Sequence, residues 1–582
     1  MLGFSQVFKP VNGRNAFRTV KELENTLFFK YLESKESFSL HEQLMAVTFN
    51  TSMQEEANIK LCKDILKKGI FCEGKIFRFL GHSSNQLREK TCFMMEGSDE
   101  EIQSHLKHFG DFVEVSDVDT RAKKIGFLFS PFRYFVKVNE NPLEMFDTPF
   151  MSRELATKVR ATMHVNYPEP SALLVHYQGF QDILVLGTEH VNTPLQDPSQ
   201  ESTQQVINPQ EMSRPVSNLA CILDYSRPHV NAYLDAKLVM LLAARGVQIK
   251  DLKALQTDYY RLLENMCNDS AFRDYFLLLT GQTIEGSRTD ANIVELRRKE
   301  VRAMVERNRS GTEVALVRIL VPKARVVFGV PDPHGKLKNG ECYFKPTLLH
   351  AERSEFEAEK EVFVVHTPCY HPGDIHVFKL CREKPLYQRF IDCLVLPHGH
   401  AIANARLDLN RNQLIVCWDA RLIPTIKVKP CSYLPILSER VYDTRGKCLL
   451  HFRRSPPKTA KELREELIDH FASFKDDLPS RIDQVYLNLA RRVSGLSSTE
   501  CEQLSRMYYQ ATNYSVDEED FLKRLEKIED REEGVGFREL VRYACRPFQR
   551  NREFQVGGPM FQDFKRAASR FFQEAKQNHF LD

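Results

Sequence analysis

Apolar and polar positions divide this chain into blocks of different period. From Ile70 to Met95 aromatic and polar residues alternate, which predicts half-buried strands running into Gly81-His-Ser-Ser-Asn-Gln-Leu-Arg-Glu89. Met1 to Gly69, ahead of it, mixes polar loops with a helical pattern. Glu101–Leu106 reads as a short helix, and Ser116–Ile125 opens another. Pro170 to Leu186 reads as a strand, a Gly179 turn and a second strand, Ile183–Leu186. Gly187–Asn218 is rich in Gln, Ser, Thr, Asn and Pro, a composition that buries no core and predicts an exposed loop. Helical spacing covers Tyr233–Ala244, stopped by Arg245-Gly246, and helices fill Leu252–Arg309. Short Val/Ile/Phe runs broken by Pro and Gly predict β-structure from Val314 to Val428. Helices return beyond Lys458, the last with Phe561, Phe564, Phe571 and Phe572 along one face.

Composition narrows this little. At 582 residues the chain is too long for one core. Its 42% hydrophobic and 27% charged residues are those of a globular protein. With 81 basic and 78 acidic residues the formal net charge is +3, which allows a local basic groove but does not by itself announce a nucleic-acid binder. The 14 cysteines contain no C-x-x-C pair, so ordinary zinc-finger spacing is absent. No signal peptide or apolar run of membrane length occurs, and reduced cysteines in the cytoplasm or nucleus are expected.

The most telling stretch is Ala405-Arg-Leu-Asp-Leu-Asn-Arg-Asn-Gln-Leu-Ile-Val-Cys-Trp-Asp419. It resembles the catalytic loop of the cellular RNA-dependent RNA polymerases of RNA silencing, S-G-S-D-L-D-G-D followed by a short strand ending in Trp-Asp. Aligned on Cys417-Trp418-Asp419, the family aspartates fall on Asp408, Asn410 and Asn412, and the loop glycine on Arg411. Other blocks follow in order. Gly81 to Arg88 is similar to G-x-S-x-S-Q-L-R, and Gly110-Asp-Phe112 to the G-D-F block. Pro170-Ser-Ala172 to Leu186 resembles the strand pair P-S-A-F-x-x-R-x-G-G-x-K-G. Asp332-Pro-His-Gly335 stands at D-E-T-G, and His366-Thr-Pro-Cys-Tyr-His-Pro-Gly-Asp374 at K-N-P-x-x-H-P-G-D.

The resemblance implies an α+β polymerase core of two double-psi β-barrels with helical neck and head elements, the active site lying between the barrels. It also implies nucleotidyl transfer with two Mg²⁺ ions held by carboxylates about 3.5–4 Å apart. Domains are then expected at 1–69 (N-terminal mixed region) and 70–250 (first barrel, with the polar insertion at 187–218). A helical connector at 251–310, the second barrel at 311–440 and a helical region at 441–582 follow. Since the family is usually longer, an N-terminal region is expected to be missing or reduced.

The chemistry departs from this pattern. Asn410 and Asn412 offer neutral carbonyl oxygens, and Arg411 puts a permanent cation where dications belong. At 4 Å and an effective dielectric of 20, two unit charges interact by about 4 kcal/mol, so each lost attraction counts. Family lysines and an arginine that would face phosphates fall on Gln181, His366 and His176. The expectation is a degenerate centre in which Asp408 is the remaining family metal ligand and Mg²⁺ is not bound normally. Such a protein would act on single-stranded RNA, or with small-RNA pathway proteins, as a scaffold and not at a membrane.

Other readings stay open on sequence. A working polymerase could recruit Asp392 or Asp419 to a rearranged metal site, and an interaction protein could have lost RNA binding. Residues 407–416 could form an ordinary hairpin turning at Asn410-Arg-Asn412. Cys369, His371, His376, Cys381, Cys393, His398 and His400 invite zinc, though their spacing matches no standard site. His371-Pro-Gly-Asp374 reads as a structural turn with Asp374 accepting backbone bonds.

Overall fold

Glu361–His366 and Gln413–Cys417 are apolar at nearly every position, a pattern that strands sustain only when both faces are covered. The computed structural model shows how that happens. It describes residues 4–8, 16–19, 26–33, 43–49, 56–109, 112–114, 118–130, 134–137, 150–151, 153–162, 169–177, 180–186, 219–281, 290–307, 313–348, 350–382, 387–397, 413–431, 433, 441–442, 448–449, 459–474, 477–490, 496, 498–513, 518–534 and 566–571. They divide into two units, one built from 1–169, 173–225 and 435–477, the other from 170–172, 226–434 and 478–582.

In the second unit the strand Arg318–Pro331, 14 residues long, serves three partners in turn. Asn231–Asp235 lies antiparallel along its start, Gln413–Cys417 antiparallel along its middle, and Cys393–Leu396 parallel to its end. From Cys393–Leu396 the sheet continues through Glu341–Phe344, His376–Leu380 and Glu361–His366, and returns to Gln413–Cys417. Six strands thus close into a barrel, with Asn231–Asp235 as a seventh on the long strand. Alternate residues separate accordingly. Val362, Val364, Leu414 and Val416 cluster with Phe344, Phe356 and Trp418. Phe363, Val365, Ile415 and Cys417 face a second core shared with the helices Ala236–Ala244, Asp477–Ala490, Thr499–Asn513 and Glu518–Gly534.

The first unit holds two sheets. One runs in the order Ala16–Thr19, Phe4–Phe8, Leu44–Phe49, Thr91–Glu96, Lys75–Gly81, Ile70–Cys72. The other orders Tyr134–Lys137, Leu219–Tyr225, Ala172–Tyr177, Phe180–Leu186 and Phe150–Met151. Phe28, Phe79, Phe93, Phe129 and Phe471 lie in one core, to which the late helix Ala460–Ser473 contributes Leu467, Ile468 and Phe471. Three helices begin in capping boxes, Ser83 with Gln86, Ser98 with Glu101 and Thr459 with Glu462.

Several expectations need correction. The helical spacing at Tyr233–Ala244 starts at Ala236: Ala232 and Leu234 are buried on a strand, and Asp235 then caps the helix by accepting from the Leu238 N–H. Gly246 ends that helix region with φ near +89°, as expected. The helix His350–Ala358 inside the β region escaped notice because it buries little besides Phe356. The N-terminal strands Phe4–Phe8 and Ala16–Thr19 are too short to show a period. The predicted loop Gly187–Asn218 lies outside the described residues, as do Phe561, Phe564 and Phe572; Phe571 is buried and stacks on Tyr260 at 4.4 Å.

Candidate catalytic centre

Register brings three of the sequence blocks to one rim of the closed barrel. Phe328 on the long strand is opposite Gln413 on one side and Cys393 on the other. His366 pairs with Leu414, at the strand end where residue 412 joins. The amide of Asp332, first residue of Asp332-Pro-His-Gly335, donates to the Leu396 carbonyl at 2.7 Å. Both edges of Gln413–Cys417 are occupied, by Arg318–Pro331 and by Glu361–His366. A strand has only two edges, so the local hairpin reading of 407–416 falls. Asp408, Asn410, Arg411 and Asn412 themselves lie outside the described residues.

The described carboxylates near the loop strand are each engaged. Asp332 Oδ1 accepts from the Tyr387 hydroxyl at 2.7 Å and the His334 N–H at 2.9 Å; Oδ2 accepts from the Lys336 and Leu337 N–H groups at 2.7 and 2.8 Å. Burial opposes its charge, but these four bonds win and hold the carboxyl below its ordinary pKa. Asp392 takes the Thr347 N–H and hydroxyl, both at 2.7 Å, in a left-handed turn with φ near +54°. Burial raises its pKa against those bonds and the charge of Arg325. Asp419 is chelated by the Arg421 guanidinium, at 3.0 Å from Nε and 2.7 Å from Nη2. It also stands at the other end of Gln413–Cys417 from the loop, roughly 13 Å away at strand rise.

His371-Pro-Gly-Asp374 is the structural turn expected. The His371 ring Nδ1 accepts from the Gly373 N–H at 3.0 Å, and Asp374 accepts from the Tyr433 hydroxyl. Arg245, 4% exposed, donates Nη1 to the Pro372 and Ile375 carbonyls at 2.6 and 2.7 Å and Nε to that of Ile426. This buried guanidinium was missed; only its place beside a helix-stopping glycine hinted at it. In the first unit, His176 lies on Ala172–Tyr177 in register with Cys221, and Gln181 on Phe180–Leu186. Among the described residues no three His, Cys, Asp or Glu gather as metal ligands, and His398 and His400 of the zinc reading are not among them.

Comparison with known proteins adds the following. The family model described as RNA dependent RNA polymerase matches residues 18–529. The probable RNA-dependent RNA polymerase 1 of Oryza sativa subsp. japonica is 24% identical over 406 residues, 64% of this chain and 52% of that protein. RNA-dependent RNA polymerase 2 of Arabidopsis thaliana is 24% identical over 418 residues, covering 63% of this chain and 35% of its own length. The chain thus spans between about a third and a half of these relatives. Among solved structures, the RNA dependent RNA polymerase QDE-1 from Thielavia terrestris superposes with a TM-score of 0.61 at 12% identity, over 99% of this chain and 71% of that one.

Proposed function

Because this chain belongs to the RNA-dependent RNA polymerase family, we propose that it is a catalytically degenerate member that binds single-stranded RNA and serves as a scaffold in small-RNA production. One observation carries the reading: the rim that receives the loop is built as a closed barrel, while the loop sequence holds a single aspartate among Asp408, Asn410 and Asn412.

The donor set does not fit a pair of magnesium ions. Magnesium takes hard, preferably anionic oxygens, and Arg411 works against both ions through its charge. The alternative ligands weighed from sequence are committed elsewhere, Asp419 to Arg421 and Asp392 to Thr347. Recruiting either would break the bonds it already accepts. His366, where the resemblance expects a lysine, offers no permanent cation on the same rim. Gln181 and His176 weaken the basic side in the same sense. Loss on both sides supports degeneration over one tolerated change.

The test is incubation of the protein with single-stranded RNA, Mg²⁺ or Mn²⁺ and all four nucleoside triphosphates, with RNA binding measured in parallel. We expect salt-dependent binding and no template-dependent product. A product that disappears in Asp408→Ala overturns the degenerate reading. Absence of RNA binding at moderate salt removes the RNA half of the proposal and leaves an interaction protein.

A further inference from the structure

In the second unit the pairing of Asn231–Asp235 with the long strand slips at one point. Asn231 is opposite Arg325 while its neighbour Ala232 is opposite Val321, so Pro322-Lys323-Ala324 bulge out of the ladder. Arg325 is 2% exposed, and its Nη1 serves the bulge, donating to the Pro322 and Ala324 carbonyls at 2.7 and 2.9 Å. Nε and Nη2, which share the other edge of the guanidinium, have no hydrogen-bond partner among the described residues. A Glu352 carboxylate oxygen lies 3.8 Å from Nη2, outside hydrogen-bonding reach. A buried arginine thus holds a two-pronged donor edge open, which native interiors seldom do without a use for it.

Other open polar atoms gather beside it. Asn231 is the cross-strand partner of Arg325, and His229 precedes it in a left-handed turn with φ near +60°. Burial, with the Arg325 charge adding to it, lowers the His229 pKa, so the ring is neutral at pH 7. Asn231 Oδ1 and His229 Nδ1 are also buried atoms without a hydrogen-bond partner among the described residues. The Trp418 ring centre is 5.3 Å from the Arg325 Cζ. On the outer side is Tyr275 of the helix Ser270–Leu279, 43% exposed. Burial raises its pKa, and the charges of Glu352 and Arg325 both act on it.

Charge decides what can enter. Burial lowers the Arg325 pKa, while Glu352 and Asp392 both act to raise it, and the nearby Lys323 is paired with Glu355 at 2.9 Å. These groups leave no positive surplus, so a phosphate or carboxylate would meet acids around the same guanidinium. What fits is a neutral, flat group with two adjacent acceptors for the fork and a donor beside them for the carboxylate. Among RNA bases guanine has that order: N7 and O6 accept, and N1–H, next to O6, donates. Adenine puts an amine where the fork needs an acceptor.

We propose that the Arg325–Glu352 cluster is a guanine-recognition site, with the Arg325 fork on N7 and O6, the Glu352 carboxylate on N1–H, and Asn231 and His229 as partners for the ribose hydroxyls. The base enters past the part-exposed ring of Tyr275. The proposal rests on the RNA-binding half of the function given above and adds base selectivity, which phosphate contacts do not supply.

The full chain is mixed with guanosine, adenosine or 7-deazaguanosine up to millimolar concentration, and ligand-observed NMR reads the affinities. Binding of a single-stranded RNA is measured on the same sample. Guanosine should bind roughly tenfold tighter than adenosine. 7-Deazaguanosine, which lacks the N7 acceptor, should lose most of that preference. Arg325→Lys keeps the charge without the fork and should bring guanosine down to the adenosine level. Glu352→Ala, on the helix His350–Ala358, should narrow the preference in the same way, and it carries the test if the lysine lowers the melting temperature. Equal binding of guanosine and adenosine, or of guanosine and its 7-deaza form, overturns the fork. Absence of nucleoside binding while RNA still binds overturns the site and leaves the function above standing. Absence of both overturns the two together.

Discussion

His82 shows what burial does to one residue of a recognisable motif. It sits against Phe79 and Phe471 and stacks on His470 at 6.1 Å, and is 5% exposed. Burial first, then the charge of His470, lower its pKa to about 3. The unfolded imidazole titrates near 6.5, so between pH 3 and 6.5 the unfolded chain binds the extra proton and acid favours unfolding. Full stability is present above about pH 6.5, and this group should subtract about 2 kcal/mol by pH 5. His82→Phe should remove that part of the loss, seen as a smaller difference between denaturant midpoints at pH 7 and pH 5. An equal difference in both proteins would refute it. The motif letters gave no hint of this burial. Likewise the sequence offered Asp392 as a candidate metal ligand and Asp332 as part of a motif block, and only the fold reveals their two and four donors.

At the scale of elements, legibility followed local chemistry. Glu101–Leu106 was legible as a helix, which the structure extends to Asp99–Lys107 behind the Ser98–Glu101 capping box, and Arg245-Gly246 as a helix end. The resemblance implied barrels, but no local period encodes their closure, since Arg318–Pro331 pairs with segments as distant in sequence as Asn231–Asp235 and Gln413–Cys417. The His371–Asp374 turn lies between these cases: Pro and Gly announce it, but its tightness comes from outside. A Cβ on Gly373 would stand 1.9 Å from the Lys429 carbonyl oxygen, so backbone must move. Gly373→Ala should therefore cost about 3 kcal/mol or more. Gly335, in open space with φ near +59°, should lose only about 1–2 kcal/mol on the same change. Thermal melts of the two variants check the order, and a Gly373→Ala melt no lower than that of Gly335→Ala would contradict the crowding.

For the whole molecule, the sequence indicated several cores but not that each is assembled from distant segments. The first unit takes Leu467 and Phe471 into a core otherwise drawn largely from residues 27–129. The second takes Leu478 to Ile528 into a core begun at Ala232. A chain ending at residue 434 forfeits packing in both. It should show no cooperative melt by circular dichroism, and a sharp transition in that fragment would mean the late helices are dispensable.

The helix Ala460–Ser473 has one more consequence, and it concerns time. Its Phe471 meets Phe79 at 5.7 Å, and Lys90 caps its last turn through the Phe471 and Phe474 carbonyls. At about 5–20 residues per second, a ribosome needs on the order of 20–80 seconds to travel from the early sheet to that helix. For that interval the nascent sheet waits with sticky rings uncovered, a natural client for a chaperone at the exit tunnel.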